Sequence, residues 1–465
     1  MFGTAMRQLG YAWTMMSGRR FRIRDVRALV DDTRATMEAF GSPGEGSDDM
    51  LAAADPEIQE DLTKRRLRRT MKHALAEVPY YRRIGEPGMT LADLPPTPKQ
   101  ALRGMPAAFV SDRARPAVLA HTTGTTGSPT LVWFSAYEVE LMSSMAALAL
   151  MLTGGVREEH LWANAISSRS IAQVVAERAV PMTGAGFVHL GMIDPRAALD
   201  RLATPLHVPG KRPLISHVNV TASYLAALVQ EAERGGWSPR DFGLIEVWSG
   251  GEVLTDALRV RAEEVLGAKV FDGYSMTEIA PVTGQVCDDG HLHLPADQGL
   301  VEVLDPVTLE PAAPDTTAVL VITPYSSFRD TTLLLRYVTG DLVRTLPESA
   351  PVTCAMAAIP ATSRVLGRLT GTSGLTTRDV LDVLQAERTL PLPTRYAVED
   401  DILYVVSGKD DATLLSRLEE RAEGLPIRGI VLVETPGDLP VPCQVRADLI
   451  EHSFEHAAPV PLGVR

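Results

Sequence analysis

The segment His121–Thr130 concentrates residue types that hold phosphate. It reads His-Thr-Thr-Gly-Thr-Thr-Gly-Ser-Pro-Thr and lies between two short apolar runs, Ala117–Ala120 and Leu131–Phe134. Glycines let backbone N–H groups approach an anion, and the Thr and Ser hydroxyls supply further donors. No Gly-Lys-Ser/Thr follows, so the loop is not a Walker P-loop. On its own the segment is more typical of a plain turn than of a triphosphate loop.

A second group of polar and aromatic residues lies well over a hundred residues further on. It comprises Ser249–Glu252 and Phe271–Glu278. Tyr274 could stack on a base, Thr277 could hydrogen-bond a phosphate, and Glu278 could bind Mg²⁺, which prefers hard oxygen ligands. Taken alone, the same residues are more typical of a strand end with a solvated glutamate.

A third stretch, Arg336–Leu342, reads Arg-Tyr-Val-Thr-Gly-Asp-Leu. A buried aspartate at a strand end, here Asp341, can accept both hydroxyls of a ribose. By itself this stretch is a polar turn.

The ordered set of stretches is far more specific than any one of them. Together they resemble the adenylate-forming superfamily of acyl-CoA synthetases, luciferases and peptide-synthetase adenylation domains, and most closely its phenylacetate–CoA ligase branch. In that branch a Val-Pro-Tyr-Tyr-Arg stretch and a Leu-Pro…Thr-x-Lys-x-x-Leu-Arg stretch precede the Thr/Gly loop, and here they stand at Val78–Arg82 and Leu94–Arg103. The resemblance extends from about Val78 to Glu434.

The resemblance implies an ATP-dependent ligase with Mg²⁺ that activates an aromatic or small polar carboxylic acid as acyl-AMP, releases pyrophosphate, and passes the acyl group to coenzyme A or another nucleophile. It implies that the β- and γ-phosphates are held by Thr122, Thr123, Gly124, Thr125, Thr126 and Gly127. It implies an adenine pocket lined by Gly250, Gly251 and Glu252, with Tyr274 stacking there, and it adds Ser275 and Met276 as further cofactor-binding residues. The remaining implied contacts are Thr277 to the α-phosphate, Glu278 to Mg²⁺, Asp341 to the ribose and, beside it, Arg368.

The sequence departs from the family pattern at three places. Ser275 replaces a glycine, which we expect to be tolerated, and the hinge motif Gly367–Gly371 has Thr370 where the family has an aspartate. The catalytic lysine of the C-terminal domain is absent: the only lysine beyond the hinge is Lys409, and Arg446 is the cation nearest the expected place. Losing one such contact typically costs about 10²–10³-fold in rate. Three hypotheses follow: a ligase that uses another cation such as Arg446, a ligase with a different second step such as attack by an amine or nitrite, and a degenerate protein that binds nucleotide or acyl groups without turnover.

Proteins of this branch also include members with a structural zinc held by cysteine and histidine. Here Cys287, His291, His293 and Cys354 stand near the corresponding places. Zn²⁺ takes four N or S ligands in a tetrahedron, which these side chains could supply. Buried free cysteines beside surface histidines fit the sequence equally well.

Composition and charge narrow the class of partner. The net charge of −13 disfavours binding to nucleic acid or to an anionic membrane, and no apolar run reaches the roughly 20 residues of a spanning helix. Three cysteines cannot form a disulfide framework, which predicts a cytoplasmic protein. We expect small-molecule partners, an acid and a nucleophilic acceptor, and leave a homodimer open.

These residues require a scaffold, and the hydrophobic pattern predicts an α/β fold of two units. We expect a large, multi-layered N-terminal domain over residues 1–366, with a helical entry segment to about 85 and a β subdomain at about 299–345. A small, mobile α+β lid domain is expected over 367–465. Within the β subdomain the pattern predicts strands at Leu300–Leu304, Ala318–Thr323 and Leu333–Tyr337.

Overall fold

The computed structural model describes residues 2–41, 56–86, 88–122, 129–349, 352–370, 373–409, 411–443 and 445–448. The entry segment is helical. Its helices are α1 (Phe2–Ser17), α2 (Ile23–Phe40), α3 (Pro56–Glu77), α4 (Pro79–Ile84) and α5 (Lys99–Gly104). A two-stranded antiparallel pair follows, β1 (Pro116–His121) with β2 (Leu131–Ser135), on either side of the Thr/Gly loop.

An eight-stranded sheet forms the centre of the N-terminal domain. Its strands are β3 (Leu161–Ala165), β4 (Gly186–His189), β5 (His217–Val220), β6 (Glu246–Gly250), β7 (Lys269–Ser275), β8 (Thr283–Val286), β9 (His291–His293) and β13 (Ala361–Ser363). Their order is β13-β9-β8-β7-β6-β5-β3-β4. Strands β4, β3, β5, β6 and β7 run parallel, and the other three continue the sheet antiparallel. The carboxyl ends of the parallel strands therefore meet at one edge, where ligands usually bind in such sheets.

Helices cover both faces of this sheet. They are α6 (Ala136–Leu152), α7 (Ile171–Met182), α8 (Pro195–Ala203), α9 (Ala222–Gly235) and α10 (Asp256–Leu266). Because side chains alternate along a strand, Val218 and Val247 pack with α8, α9 and α10 on one face, whereas Trp162 packs with α6 and α7 on the other. Helix α9 is rich in Ala and Leu and ends at Gly236, whose φ of +76° is a common helix stop.

A second, antiparallel sheet lies beside the central one. It consists of β10 (Gly299–Leu304), β11 (Thr317–Pro324) and β12 (Tyr337–Arg344). The predicted strand at Leu333–Tyr337 is wrong, because the third strand only begins at Tyr337. Arg336 adopts a φ of +47°, which interrupts the extended backbone, and Leu333 and its apolar neighbours are buried in the core shared with α3 and α4 instead.

The C-terminal unit is a small α+β layer. Its elements are α11 (Thr377–Gln385), β14 (Tyr396–Glu399), β15 (Ile402–Val406), α12 (Ala412–Arg421) and β16 (Gly429–Val433). It contacts the larger domain where the Thr255 hydroxyl donates to Gln385 at 2.5 Å and Arg378 donates to the Leu254 carbonyl at 3.1 Å. The predicted α/β fold class is confirmed. Within the described ranges, no helix is both long enough and apolar enough to cross a membrane.

Candidate functional site

The site is centred on the turn that follows β7. Tyr274, near the end of that strand, donates its hydroxyl to Asp341 Oδ2 at 3.0 Å, so β7 and β12 present their polar residues to one another. Burial raises the pKa of Asp341, while Arg368, the Tyr274 hydrogen bond and Lys99 act in the opposite direction. Two of the sequence stretches, far apart in the chain, thus meet in one place.

Glu278 is almost fully buried and its two carboxylate oxygens differ. Oε1 lies 2.9 Å from Lys99 Nζ and accepts a hydrogen bond from the Tyr337 hydroxyl at 3.2 Å. Oε2 is also buried, yet it has no hydrogen-bond partner among the described residues. A buried carboxylate oxygen without a donor is costly, and it suits a hard cation such as Mg²⁺.

Lys99 reaches this site from the first turn of α5. Thr97, two residues earlier, is hydrogen-bonded to the backbone at the start of β12. Thr97 N donates to Arg336 O at 2.7 Å, and Val338 N donates to Thr97 O at 3.0 Å. The Thr97 hydroxyl also donates to Leu335 O at 2.7 Å. The sequence had given Lys99 no role, although it lies in the Leu94–Arg103 stretch that carried part of the resemblance.

Only the base of the Thr/Gly loop lies within the described residues. There Thr122 N donates to Thr130 O at 3.2 Å and Thr130 N donates to Thr122 Oγ1 at 3.0 Å, which closes the two ends of the loop. Arg103, on the same helix as Lys99, donates to Thr130 Oγ1 at 3.3 Å. The predicted phosphate contacts Thr123, Gly124, Thr125, Thr126 and Gly127 lie outside the described residues.

The Gly250–Glu252 turn follows the carboxyl end of β6. Gly251 has a φ of +77°, which favours glycine, and Glu252 Oε2 accepts from both the backbone N (2.9 Å) and the hydroxyl (2.6 Å) of Ser223. Arg446 of the C-terminal unit lies 3.8 Å from Glu252 Oε1. A Cβ on Gly251 would come within 2.7 Å of the Arg446 guanidinium, so this cation lies against the Gly250–Glu252 turn.

The rest of the predicted set lies around this centre. Arg368 Nε is 3.7 Å from Asp341 Oδ1, and Met276 Sδ lies 3.4 Å from the Tyr274 hydroxyl oxygen. Thr277 is half-buried within the turn. Ser275 is exposed and does not have a positive φ, so its backbone does not require the glycine of the family pattern.

A buried ion pair is hydrogen-bonded to the backbone of the turn that carries Glu278. Arg329 and Glu138 are both fully buried and lie 3.6 Å apart, and Arg329 Nη1 donates to the carbonyls of Glu278 (3.1 Å) and Ala280 (2.5 Å). Burial lowers the pKa of Arg329 to about 10, which leaves it charged at neutral pH. Glu138 also accepts the backbone N–H groups of Asp330 and Thr331. The pair therefore fixes the backbone that carries Glu278.

The four predicted zinc ligands are close together. The ligand atoms of Cys287, His291, His293 and Cys354 all lie within 4.8 Å of one another. Cys354 Sγ is 3.3 Å from His293 Nε2, and His293 Nδ1 lies 3.1 Å from Ile359 O, which turns Nε2 toward the cysteines. This donor set and spacing fit a tetrahedral Zn²⁺ ion.

Comparison with known proteins identifies the family to which this chain belongs. The model of the family described as "AMP-binding enzyme" matches residues 35–329, more than half of the chain. The chain is 29% identical over 307 residues to the phenylacetate-coenzyme A ligase of Thermus thermophilus, covering 60% of this chain and 64% of that enzyme, slightly less than two thirds. The enzyme of the same name from Pseudomonas putida is 29% identical over 332 residues, covering 66% and 69%.

Among solved structures, a 2-hydroxyisobutyryl-CoA ligase in the postadenylation state, in complex with R3-HIB-AMP, is similar in fold. The TM-score is 0.66 at 20% identity, covering 82% of this chain and 87% of that one. The resemblance predicted from the motifs is confirmed. The chain belongs to the AMP-binding enzyme family, within the adenylate-forming superfamily and its phenylacetate–CoA ligase-like branch.

Proposed function

We propose that this protein is an ATP-dependent ligase that activates a carboxylic acid as its acyl adenylate and transfers the acyl group to a nucleophile. The observation that carries the proposal is that separate motifs lie in one site. Tyr274 contacts Asp341 there, and Lys99 contacts Glu278. That site contains a base-stacking ring, two carboxylates and cations, which are the groups that an ATP-dependent acyl activation needs.

Each residue has a role that its environment supports. Tyr274 packs against the adenine, Asp341 accepts the ribose hydroxyls, and Thr277 donates to the α-phosphate. Glu278 offers Oε2, which lacks a donor, to Mg²⁺. When bound, Mg²⁺ would neutralise phosphate charge as pyrophosphate leaves. Catalysis then depends on positioning and on charge neutralisation at phosphorus rather than on acid–base chemistry.

The similar proteins support an acid–CoA ligase, since two are phenylacetate-coenzyme A ligases and one is a 2-hydroxyisobutyryl-CoA ligase. We infer an aromatic or small polar acid as the first substrate and coenzyme A as the acceptor. Because the lid domain lacks the family lysine, an amine or nitrite acceptor is the second candidate. We also propose that Cys287, His291, His293 and Cys354 hold a structural zinc.

The decisive experiment is a pyrophosphate-release assay with ATP, Mg²⁺ and a panel of aryl, alkyl and hydroxy acids. The proposal predicts release that depends on the acid and is lost in Asp341→Asn, which removes the ribose acceptor. The control is Asp315→Asn, which changes an exposed carboxylate that lies 2.8 Å from Arg344. This variant should behave like the wild type. Failure of every acid to give release would mean a nucleotide-binding protein without turnover.

A second assay identifies the acceptor. The best acid is incubated with ATP and then with coenzyme A, a set of amines, or nitrite, and the product is identified by mass spectrometry. A thioester would support the acid–CoA ligase. A product with an amide or a nitrogen–nitrogen bond would instead support the second candidate, in which the acceptor is an amine or nitrite.

A further inference from the structure

The protein lacks the lysine with which the lid of this family acts on the α-phosphate, so another cation must act there if the proposed function holds. Lys409 is 74% exposed and pairs with Asp411 at 3.7 Å within its own turn. Arg446 lies against Gly251 and pairs with Glu252 at the Gly250–Glu252 turn. Lys409 and Arg446, the two lid cations considered from the sequence, are therefore both paired with acidic residues other than Glu278.

Lys99 is at the centre of the site. Its side chain is 15% exposed, and its ammonium group lies 2.9 Å from the buried Glu278 carboxylate, at the point where the β7 turn faces β12. The same lysine acts electrostatically on Asp341, so its charge lies near both carboxylates. In the proposed function Glu278 faces the metal-bound phosphates and Asp341 faces the ribose. The α-phosphate joins these two parts of ATP, so it must pass beside Lys99.

The position of Lys99 is fixed by the N-terminal domain. Thr97, two residues before it, is hydrogen-bonded to Leu335, Arg336 and Val338 on both sides of the β12 start. Lysine carries three N–H donors on a compact charge, and the contact with Glu278 uses one of them. Among the described residues Glu278 is the only ion-pair partner of Lys99, so N–H donors remain for oxygen atoms of a phosphate and of a carboxylate.

We propose that Lys99 is a catalytic residue of adenylation, contacting the α-phosphate and the attacking carboxylate in place of the missing lid lysine; this inference rests on the proposed function. In this step a carboxylate oxygen forms a bond to the α-phosphorus. The bond from that phosphorus to the bridging oxygen breaks, and pyrophosphate leaves with the electron pair. No proton is transferred, and Lys99 offsets the charge that builds up on the α-phosphate oxygens.

The test compares variants in acid-dependent exchange of pyrophosphate into ATP. Lys99→Met should lower kcat by about 10²–10³-fold, and Lys99→Arg, which keeps the charge, should recover at least about tenfold of that loss. Lys64→Met removes an exposed lysine paired with Glu60 on α3 and is the matched control. Arg446→Ala tests the competing cation. Lys99→Met within about threefold of the control, or a larger loss in Arg446→Ala than in Lys99→Met, would overturn the inference.

A binding measurement separates this inference from the proposed function. Titration with AMP and with adenosine needs no acid, so it remains informative if no acid supports exchange in the wild type and the proposed function fails. Lys99→Met should weaken AMP by about tenfold and leave adenosine unchanged, because only AMP carries the phosphate. Equal AMP affinity in both proteins, or an equal loss for AMP and adenosine, would show a merely structural lysine.

Discussion

The buried Arg329–Glu138 pair offers a sharp test of how the fold supports the site. Replacing Arg329 by Met leaves the buried Glu138 carboxyl without its cationic partner and removes the donor to the carbonyls of Glu278 and Ala280. Breaking a fully buried pair on one side typically costs about 3–5 kcal/mol, because the remaining charge is uncompensated. We therefore expect Arg329→Met to lower the free energy of unfolding by about 3–5 kcal/mol.

Urea unfolding followed by tryptophan fluorescence measures this loss in the relevant domain. All five tryptophans precede residue 249, so the signal reports the N-terminal domain and not the lid. In the double variant with Glu138→Gln, the loss should be smaller than the sum of the single losses by about 0.5–3 kcal/mol, since the two residues interact directly. Arg344→Met removes an exposed pair with Asp315 and should leave the free energy of unfolding almost unchanged, because solvent screens that pair. The reasoning fails if Arg329→Met costs no more than this control.

Three further changes test the metal sites and one buried carboxyl. Glu278→Gln should raise the Mg²⁺ concentration for half-maximal pyrophosphate release by about tenfold or more, whereas the exposed Glu348→Gln should not; equal Mg²⁺ dependence would exclude Glu278 as a ligand. Cys354→Ser should remove bound zinc, measured by elemental analysis, and lower the melting temperature, while Cys443→Ser keeps the metal; a wild type purified with zinc supplied but containing none would contradict the zinc site. Burial raises the pKa of Asp272 to about 6, so folding favours its protonated form and its contribution to stability, complete below pH about 4, is lost as the pH rises through 6. Asp272→Asn should therefore melt higher than the wild type at pH 8 and the same at pH 4; an unchanged difference across that range would refute the assignment.

The sequence predicted those parts of the site that are local. The Tyr274–Glu278 turn and Asp341 each follow a short apolar run, and their residue types alone suggested ligands for ATP. Their contact could not be read from the chain, because it depends on how β7 and β12 come together across two sheets. The family resemblance predicted that both contribute to one nucleotide site, and in the structure the Tyr274 hydroxyl lies 3.0 Å from Asp341 Oδ2.

Lys99 and Arg329 were missed for a physical reason. Each is a single charged residue in a polar segment, and a charge in such a segment is usually solvated. Only tertiary packing shows that Lys99 turns inward to Glu278 and that Arg329 lies under the site. The same limit explains the strand wrongly placed at Leu333–Tyr337, where burial rather than strand pairing accounts for the apolar run.

The hinge has a mechanical consequence for the site. Leu342 N donates to Gly367 O at 2.8 Å and Leu366 N donates to Leu342 O at 2.7 Å, so the near side of the hinge is bonded to the strand that carries Asp341. Gly367 has a φ of +85°, and a Cβ there would lie 2.6 Å from Thr377 Cβ, which leaves no room for a side chain. We therefore propose that movement of the lid takes place beyond these bonds, so that a nucleotide bound through its ribose stays in contact with Asp341 while the lid changes position.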